Sequence, residues 1–160
     1  MRPIKKLLFI LFSLTLISSA CTNDTLHVDL DSELNVRPTV SLSTEDGSEI
    51  AGFSWSFCTD TVCFDKDPID FSALTYTPYT NGSNLIFTVT FSDEINSLGI
   101  KTYNKAGEIT HRELPYTIVD AHTFLFEEPF PTDEKEIALN ISVDFVTEGK
   151  AHYFFPLHLQ

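Results

Sequence analysis

Basic residues are scarce in this chain of 160 residues, which has 10 lysines and arginines against 23 aspartates and glutamates. Three of the ten, Arg2, Lys5 and Lys6, lie in the first six residues, which contain no acid. Without residues 1–20 the chain has seven basic and 23 acidic residues, a formal charge of −16. Because so negative a surface repels phosphate, we expect no nucleic-acid partner and no electrostatic adhesion to anionic lipid.

Motifs of the common enzyme chemistries are also missing. The sequence contains no GxSxG nucleophile elbow, no HExxH zinc motif and no glycine-rich phosphate loop. The adjacent acids Asp93-Glu94 and Glu127-Glu128 would point to opposite faces of an extended strand, which favours solvated charges over an acid–base pair. We therefore expect a protein that is not an enzyme, with no catalytic residue, no resident metal and no cofactor.

Long apolar runs are limited to the N-terminus. Leu7–Ile17 follows the basic segment Met1–Lys6 and precedes a stretch of small residues, 18–20, that ends at Cys21. Eleven residues are too few to span about 30 Å of hydrocarbon, so the pattern is typical of a cleaved secretory signal. A cysteine directly after the small residues resembles a bacterial lipoprotein signal, in which Cys21 is acylated and becomes the first residue. Cleavage by ordinary signal peptidase is the alternative.

The lipoprotein interpretation divides the chain into three parts. Residues 1–20 would be the signal peptide, residues 21–25 the lipidated N-terminus with a short linker, and residues 26–160 one folded domain. The domain would be extracytoplasmic and held to a bacterial membrane by the lipid on Cys21, either at the cell surface or in the periplasm.

Cysteine is rare, with three in the chain. If Cys21 carries lipid, Cys58 and Cys63 remain in an oxidising compartment. Their separation differs from that of a redox CxxC pair, and a zinc site would need a second pair of ligands. It suits a disulfide across a tight loop between two strand ends. A reactive or metal-binding dithiol and two free buried thiols are the alternatives.

Apolar residues alternate with polar ones in most of the chain after Cys21, and no stretch of a dozen residues there keeps a helical period. This predicts an all-β fold, a single antiparallel β-sandwich of immunoglobulin-like type, with a small β-barrel as the alternative. The predicted strands are Leu26–Leu30, Val40–Leu42, Phe53–Phe57, Leu85–Phe91, Leu98–Tyr103, Tyr116–Val119, Thr123–Phe126, Ile137–Phe145 and Tyr153–Leu159. The last two should form a hairpin, because a turn containing glycine joins them.

Three aromatic residues recur at every second position in one predicted strand. Since Phe53, Trp55 and Phe57 alternate with serines, we expect all three to face the core, with Trp55 buried near the cysteine pair. The opposite face of the last strand carries Phe154 and Pro156 among polar residues. Such an apolar spot marks either a partner or a second layer of structure.

Metal binding is the alternative function that the sequence allows. Asp65, Asp67 and Asp70 cluster around a proline, but they lack the glycine and the bidentate glutamate of a calcium loop. The histidines could supply ligands for copper or zinc, although exposed histidines without a metal are the commoner case. They are His27, His111, His122, His152 and His158.

A resemblance to a known group covers roughly Gly47 to Gly107. It is carried by Gly52-Phe53-Ser54-Trp55, Cys58, Cys63, Asp67-Pro68 and Asn81-Gly82-Ser83-Asn84-Leu85-Ile86-Phe87. This order is similar to that in small uncharacterised lipoproteins from Bacillus-type bacteria. The resemblance implies only a lipid-anchored β domain, because the group has no known activity to carry over.

The favoured function is therefore a non-catalytic, membrane-tethered β domain that binds a protein, a glycan or another envelope component. An envelope protein that binds copper, zinc or calcium is the second interpretation.

The lipid anchor can be tested directly. Membrane-extracted protein should have the mass of a chain that starts at Cys21 and carries acyl groups. Cys21→Ser should abolish the acylation, so that the chain is either released from the membrane or left with its signal peptide uncleaved. Intact-mass spectrometry measures both. An unmodified chain beginning at Cys21 would show that the signal is an ordinary secretory one.

Overall fold

The described part of the chain begins at residue 38. A computed structural model describes residues 38–59, 63–147 and 149–160. The predicted signal peptide, Cys21, His27 and the predicted strand Leu26–Leu30 lie outside the described residues. Within those ranges no helix is long and apolar enough to cross a membrane.

Strands make up most of the described chain, with one short 3-10 turn at Phe71–Ala73. In chain order they are β1 (Thr39–Thr44), β2 (Phe53–Cys58), β3 (Cys63–Asp65), β4 (Thr77–Tyr79), β5 (Leu85–Thr90), β6 (Ile95–Tyr103), β7 (Ile109–Arg112), β8 (Thr117–Ile118), β9 (Thr123–Phe126), β10 (Glu136–Phe145) and β11 (Lys150–Leu159).

The strands form two sheets that pack face to face. The smaller sheet has the order β1-β5-β9-β8, and the larger has the order β3-β2-β11-β10-β6-β7. β4 joins the larger sheet by running parallel to the end of β11, whereas the other described pairs are antiparallel. The prediction of an all-β sandwich is thereby confirmed.

The core lies between the two sheets. Phe87 of β5 is fully buried, and its ring centroid lies 6.1 Å from that of Phe155 and 6.4 Å from that of Tyr153, both on β11. The Tyr153 hydroxyl donates a hydrogen bond to the carbonyl oxygen of Pro38 (3.1 Å), and burial raises the pKa of this phenol. The apolar residues of β10 and β11 that alternate in the sequence line this core, as predicted.

The predicted hairpin of the last two strands is confirmed, with β10 and β11 paired over nine residues. Gly149 in its turn has a φ of 92°, a conformation that glycine adopts without strain. A Cβ atom at this position would collide with the carbonyl oxygen of Cys58. The turn of the hairpin is therefore packed against the end of β2.

Cys58 and Cys63 end β2 and begin β3, and they oppose each other in the register of these strands. Their Cα atoms lie 3.9 Å apart, and the two sulfur atoms lie within bonding distance. The structure thus places the two cysteines where a disulfide across a tight loop was predicted.

Three strands were not predicted, namely β3, β4 and β7. β3 and β4 have three residues each, and Pro78 in β4 cannot donate a hydrogen bond to a neighbouring strand. β7 is an edge strand with the largely polar sequence Ile-Thr-His-Arg. Segments this short or polar carry too few alternating apolar residues to be recognised, and their pairing partners impose the extended conformation.

Gly149 offers a test of this packing. We expect Gly149→Ala to lower the free energy of unfolding by about 3 kcal/mol or more, because strain at positive φ adds to a steric clash with Cys58. Gly47→Ala is the matched control, since Gly47 also has a positive φ of 84° but a Cβ atom added there would have no other atom within 4 Å. This change should cost only about 1–2 kcal/mol. Urea unfolding of both variants compares them, and equal losses would contradict the packing.

Candidate functional site

A β-bulge in β2 decides where its aromatic side chains lie. Tyr153 of β11 opposes Ser54, and the preceding residue, His152, opposes Ser56. Trp55 is therefore an extra residue in β2, and no residue of β11 pairs with it. A bulge of this kind interrupts the alternation of faces along a strand.

The expectation that Phe53, Trp55 and Phe57 share the core face is therefore wrong. Phe57 opposes Ala151 and is buried in the core, as expected. Phe53 opposes Phe154 on the outer face of the large sheet, and Trp55 contacts Phe154 there as well. Trp55 is half-buried, so the prediction that it is a core residue is also wrong.

Phe154 lies at the centre of a cluster on this outer face, which we call the outer aromatic cluster. Four rings surround it, with centroid distances of 5.8 Å to Phe53, 6.1 Å to Trp55, 5.9 Å to Phe71 and 5.8 Å to Tyr103. Phe154 is only 5% exposed as a result. The apolar spot noted in the sequence is thus covered by a second layer from the same chain.

That second layer is the segment Lys66–Tyr76, which we call the covering segment. Its Phe71 stacks on Tyr103 of β6 with centroids 5.3 Å apart and planes 15° from parallel. Asp70 caps the short 3-10 turn by accepting hydrogen bonds from the backbone N–H (3.0 Å) and the hydroxyl (2.6 Å) of Ser72. These two bonds, the hydroxyl's first, hold the pKa of Asp70 below its usual value.

The far end of the covering segment is held by charged groups. Lys105 Nζ lies 5.4 Å from the ring centroid of Tyr76 and 2.5 Å from an Oε atom of Glu136. His158 Nδ1 lies 3.5 Å from the other Oε atom of Glu136. The hydrogen bond from Lys105 lowers the pKa of Glu136, so this carboxylate stays ionised at neutral pH. Tyr76 also donates a hydrogen bond to the carbonyl oxygen of Phe71 (2.8 Å).

A groove of about 510 Å³ separates β2 from the covering segment, and we call it the Trp55 groove. Its residues combine aromatic, aliphatic and charged side chains. They are Phe53, Trp55, Lys66, Asp67, Ile69, Asp70 and Leu74. Small-molecule sites usually combine apolar surface with a few polar groups, and four apolar and three charged residues line this groove.

The Trp55 ring is held in one orientation. Its Nε1–H donates a hydrogen bond to the backbone carbonyl of Asp67 (3.4 Å). Its ring meets those of His152 and Phe154 nearly at right angles, with centroids 6.0 Å and 6.1 Å away. The backbone N–H of Lys66 also bonds to the carbonyl oxygen of Trp55 (3.0 Å), which fixes the start of the covering segment beside the ring.

A second groove, of about 460 Å³, lies between β1 and β2. Among its described lining residues Glu49 is the single charged one, and most of the others are apolar or backbone groups. The Tyr153 hydroxyl in its wall is already bonded to Pro38. This second groove has fewer polar side chains to orient a ligand, so it is a weaker candidate for a binding site than the Trp55 groove.

The candidate ligands of the alternative metal interpretation are dispersed in the part of the chain that the structure describes, where no three His, Cys, Asp or Glu side chains lie close enough to hold a metal ion. His158 pairs with Glu136, His152 contacts Trp55, and His111 lies on the edge strand β7. His122 has a buried Nδ1 atom with no hydrogen-bond partner among the described residues. The side chain of Asp65 lies outside the described part of the structure.

No family model matches the sequence, and neither curated proteins nor solved structures yield a match to it.

The different positions of Trp55 and Phe57 lead to a prediction. Phe57→Ala should lower the free energy of unfolding by about 3–5 kcal/mol because it empties a core position, whereas Trp55→Ala should cost about 1–2 kcal/mol. Val146→Ala, at a residue that is 57% exposed, gives the baseline. Urea denaturation at neutral pH measures all three, and equal losses at Trp55 and Phe57 would place Trp55 in the core.

Proposed function

We propose that the protein is a lipid-anchored extracytoplasmic module that binds a ligand in the Trp55 groove and catalyses no reaction. The observation that carries the proposal is the β-bulge, which moves the one tryptophan of the chain from the core face to a half-buried position in this groove. The lipid anchor rests on the sequence around Cys21.

Preorganisation supports binding at this place. A bulge interrupts the regular pairing of two strands and so lowers the stability of the sheet at that point. Bulges are frequent beside functional sites. The Trp55 ring is nevertheless held by Asp67, His152 and Phe154. A side chain fixed before the ligand arrives loses little conformational entropy on binding, which favours affinity.

The groups in the groove suit recognition better than catalysis. Asp70 is committed to capping the 3-10 turn, and its lowered pKa makes it a poor proton acceptor near neutral pH. Lys66 Nζ lies 5.9 Å from the ring centroid of Phe53. These residues can donate and accept hydrogen bonds and present apolar surface, as a binding site requires.

Retention on envelope material tests the proposal. The full chain, purified in detergent, is incubated with purified bacterial cell-wall fragments and, separately, with an immobilised envelope protein extract. We expect saturable binding to one of them that Trp55→Leu weakens about tenfold or more, since a buried aromatic contact is typically worth more than about 1.4 kcal/mol.

Ile118→Ala is the control, because Ile118 is an apolar residue that is 66% exposed on β8 of the other sheet. It should bind like the wild type. Thermal melts of both variants verify that they are folded. Equal binding by the Trp55→Leu variant, or no binding by the wild type, would contradict the proposal.

A further inference from the structure

We infer that the ligand of the Trp55 groove is a neutral oligosaccharide, one of whose sugar rings stacks on Trp55. This inference rests on the proposed function and adds the chemical class of the ligand. It follows from three properties of the groove, namely its aromatic surface, the type of its polar groups and the balance of its charges.

The aromatic surface suits a sugar ring. One face of a pyranose presents C–H bonds, and the negative face of an aromatic ring attracts such slightly positive hydrogens. Phe53 is already stacked on Phe154, and Lys66 lies over its ring. The Trp55 ring lies nearly perpendicular to the rings of His152 and Phe154, is half-buried, and is the larger of the two aromatic rings in the groove.

The polar groups beside Trp55 match the edge of a sugar ring. A sugar hydroxyl both donates and accepts hydrogen bonds, so a site that binds it needs acceptors and donors close together. Asp67 provides a carboxylate acceptor, and Lys66 provides an ammonium donor. Of the described residues none forms a hydrogen bond or ion pair with the Asp67 carboxylate, which leaves this exposed side chain available to a ligand.

The charges disfavour an anionic ligand. The formal charge of −16 after residue 20 repels anionic polymers at long range. The ammonium of Lys66 lies over the Phe53 ring and occupies that aromatic face. A neutral hydroxyl-rich ligand is not repelled, and the salt dependence of binding distinguishes it from a cationic ligand, which the carboxylates of Asp67 and Asp70 would attract.

The form of the groove suits a chain of sugars. Its volume of about 510 Å³ is in the usual range for small-molecule sites. The charged residues at its margin, Lys66, Asp67 and Asp70, are exposed, so the groove is open to solvent along this side. An oligosaccharide can therefore bind with one ring on Trp55 while its neighbours extend beyond the site.

The single tryptophan makes the test direct, because intrinsic tryptophan fluorescence reports on Trp55 alone. The full chain in detergent is titrated with neutral tetrasaccharides of glucose and of N-acetylglucosamine, in α- and β-linked forms, and with polylysine and lipoteichoic acid. We expect at least one neutral tetrasaccharide to change the emission saturably. Its Kd should change by less than about twofold between about 0.05 M and 0.5 M salt, because no ion pair forms.

Asp67→Asn should weaken this binding about tenfold or more, which corresponds to one hydrogen bond to a charged acceptor. Asp133→Asn is the matched control, since Asp133 is an exposed aspartate outside the groove, and it should leave the Kd unchanged. Neither change removes a buried group, so both variants should fold. An equal effect of the two changes would overturn the inference.

Two further results would overturn the glycan class and leave the proposed function intact. One is a Trp55 response to polylysine or lipoteichoic acid that weakens with salt, with no response to the sugars. The other is no response to any tetrasaccharide while envelope material still binds in a Trp55-dependent way. Loss of Trp55-dependent binding to every probe and to envelope material would defeat both proposals.

Discussion

Burial of both faces of β11 is the constraint on which the rest of the structure depends. On the inner face Tyr153 and Phe155 pack against Phe87 of the small sheet. On the outer face Phe154 is equally apolar and would be exposed to water on a two-layer sandwich. The covering segment removes it from water by placing Phe71 over it, so β11 is packed on both faces at this point. The Trp55 groove lies where this segment, which follows β3, begins beside the bulge of β2.

The bulge gives the two ends of one strand different roles. Phe57 contributes to the core, whereas Trp55, two residues earlier, belongs to the outer aromatic cluster. A regular strand would have buried both rings on one face, which is the better arrangement for stability alone. The protein instead keeps its one tryptophan half-buried beside charged groups. Departures from the most stable arrangement are expected where a binding surface is needed.

Charge plays a small part in stability and a larger one at the groove. The 23 acidic residues outnumber the ten basic ones, and the ion pairs at Glu136 and Asp144 involve partly exposed side chains, so each pair contributes little. Two of the few lysines, Lys66 and Lys105, lie over aromatic rings of the outer face, and Lys105 also pairs with Glu136. The outer face is therefore a region where both signs of charge meet an apolar surface.

The sequence by itself determined the fold class, because alternation of apolar residues is a local property that a strand must have to bury one face. It predicted the strand Thr123–Phe126 with the observed bounds, the hairpin of β10 and β11, and the close approach of Cys58 and Cys63. Only the tertiary structure decided the short strands β3, β4 and β7, which depend on the strands beside them. It also decided the position of Trp55, because alternation relates a residue to its neighbours in the chain, whereas a bulge is set by pairing with β11. The candidate site could not be predicted for this reason, since it depends on contacts between segments that are distant in the sequence.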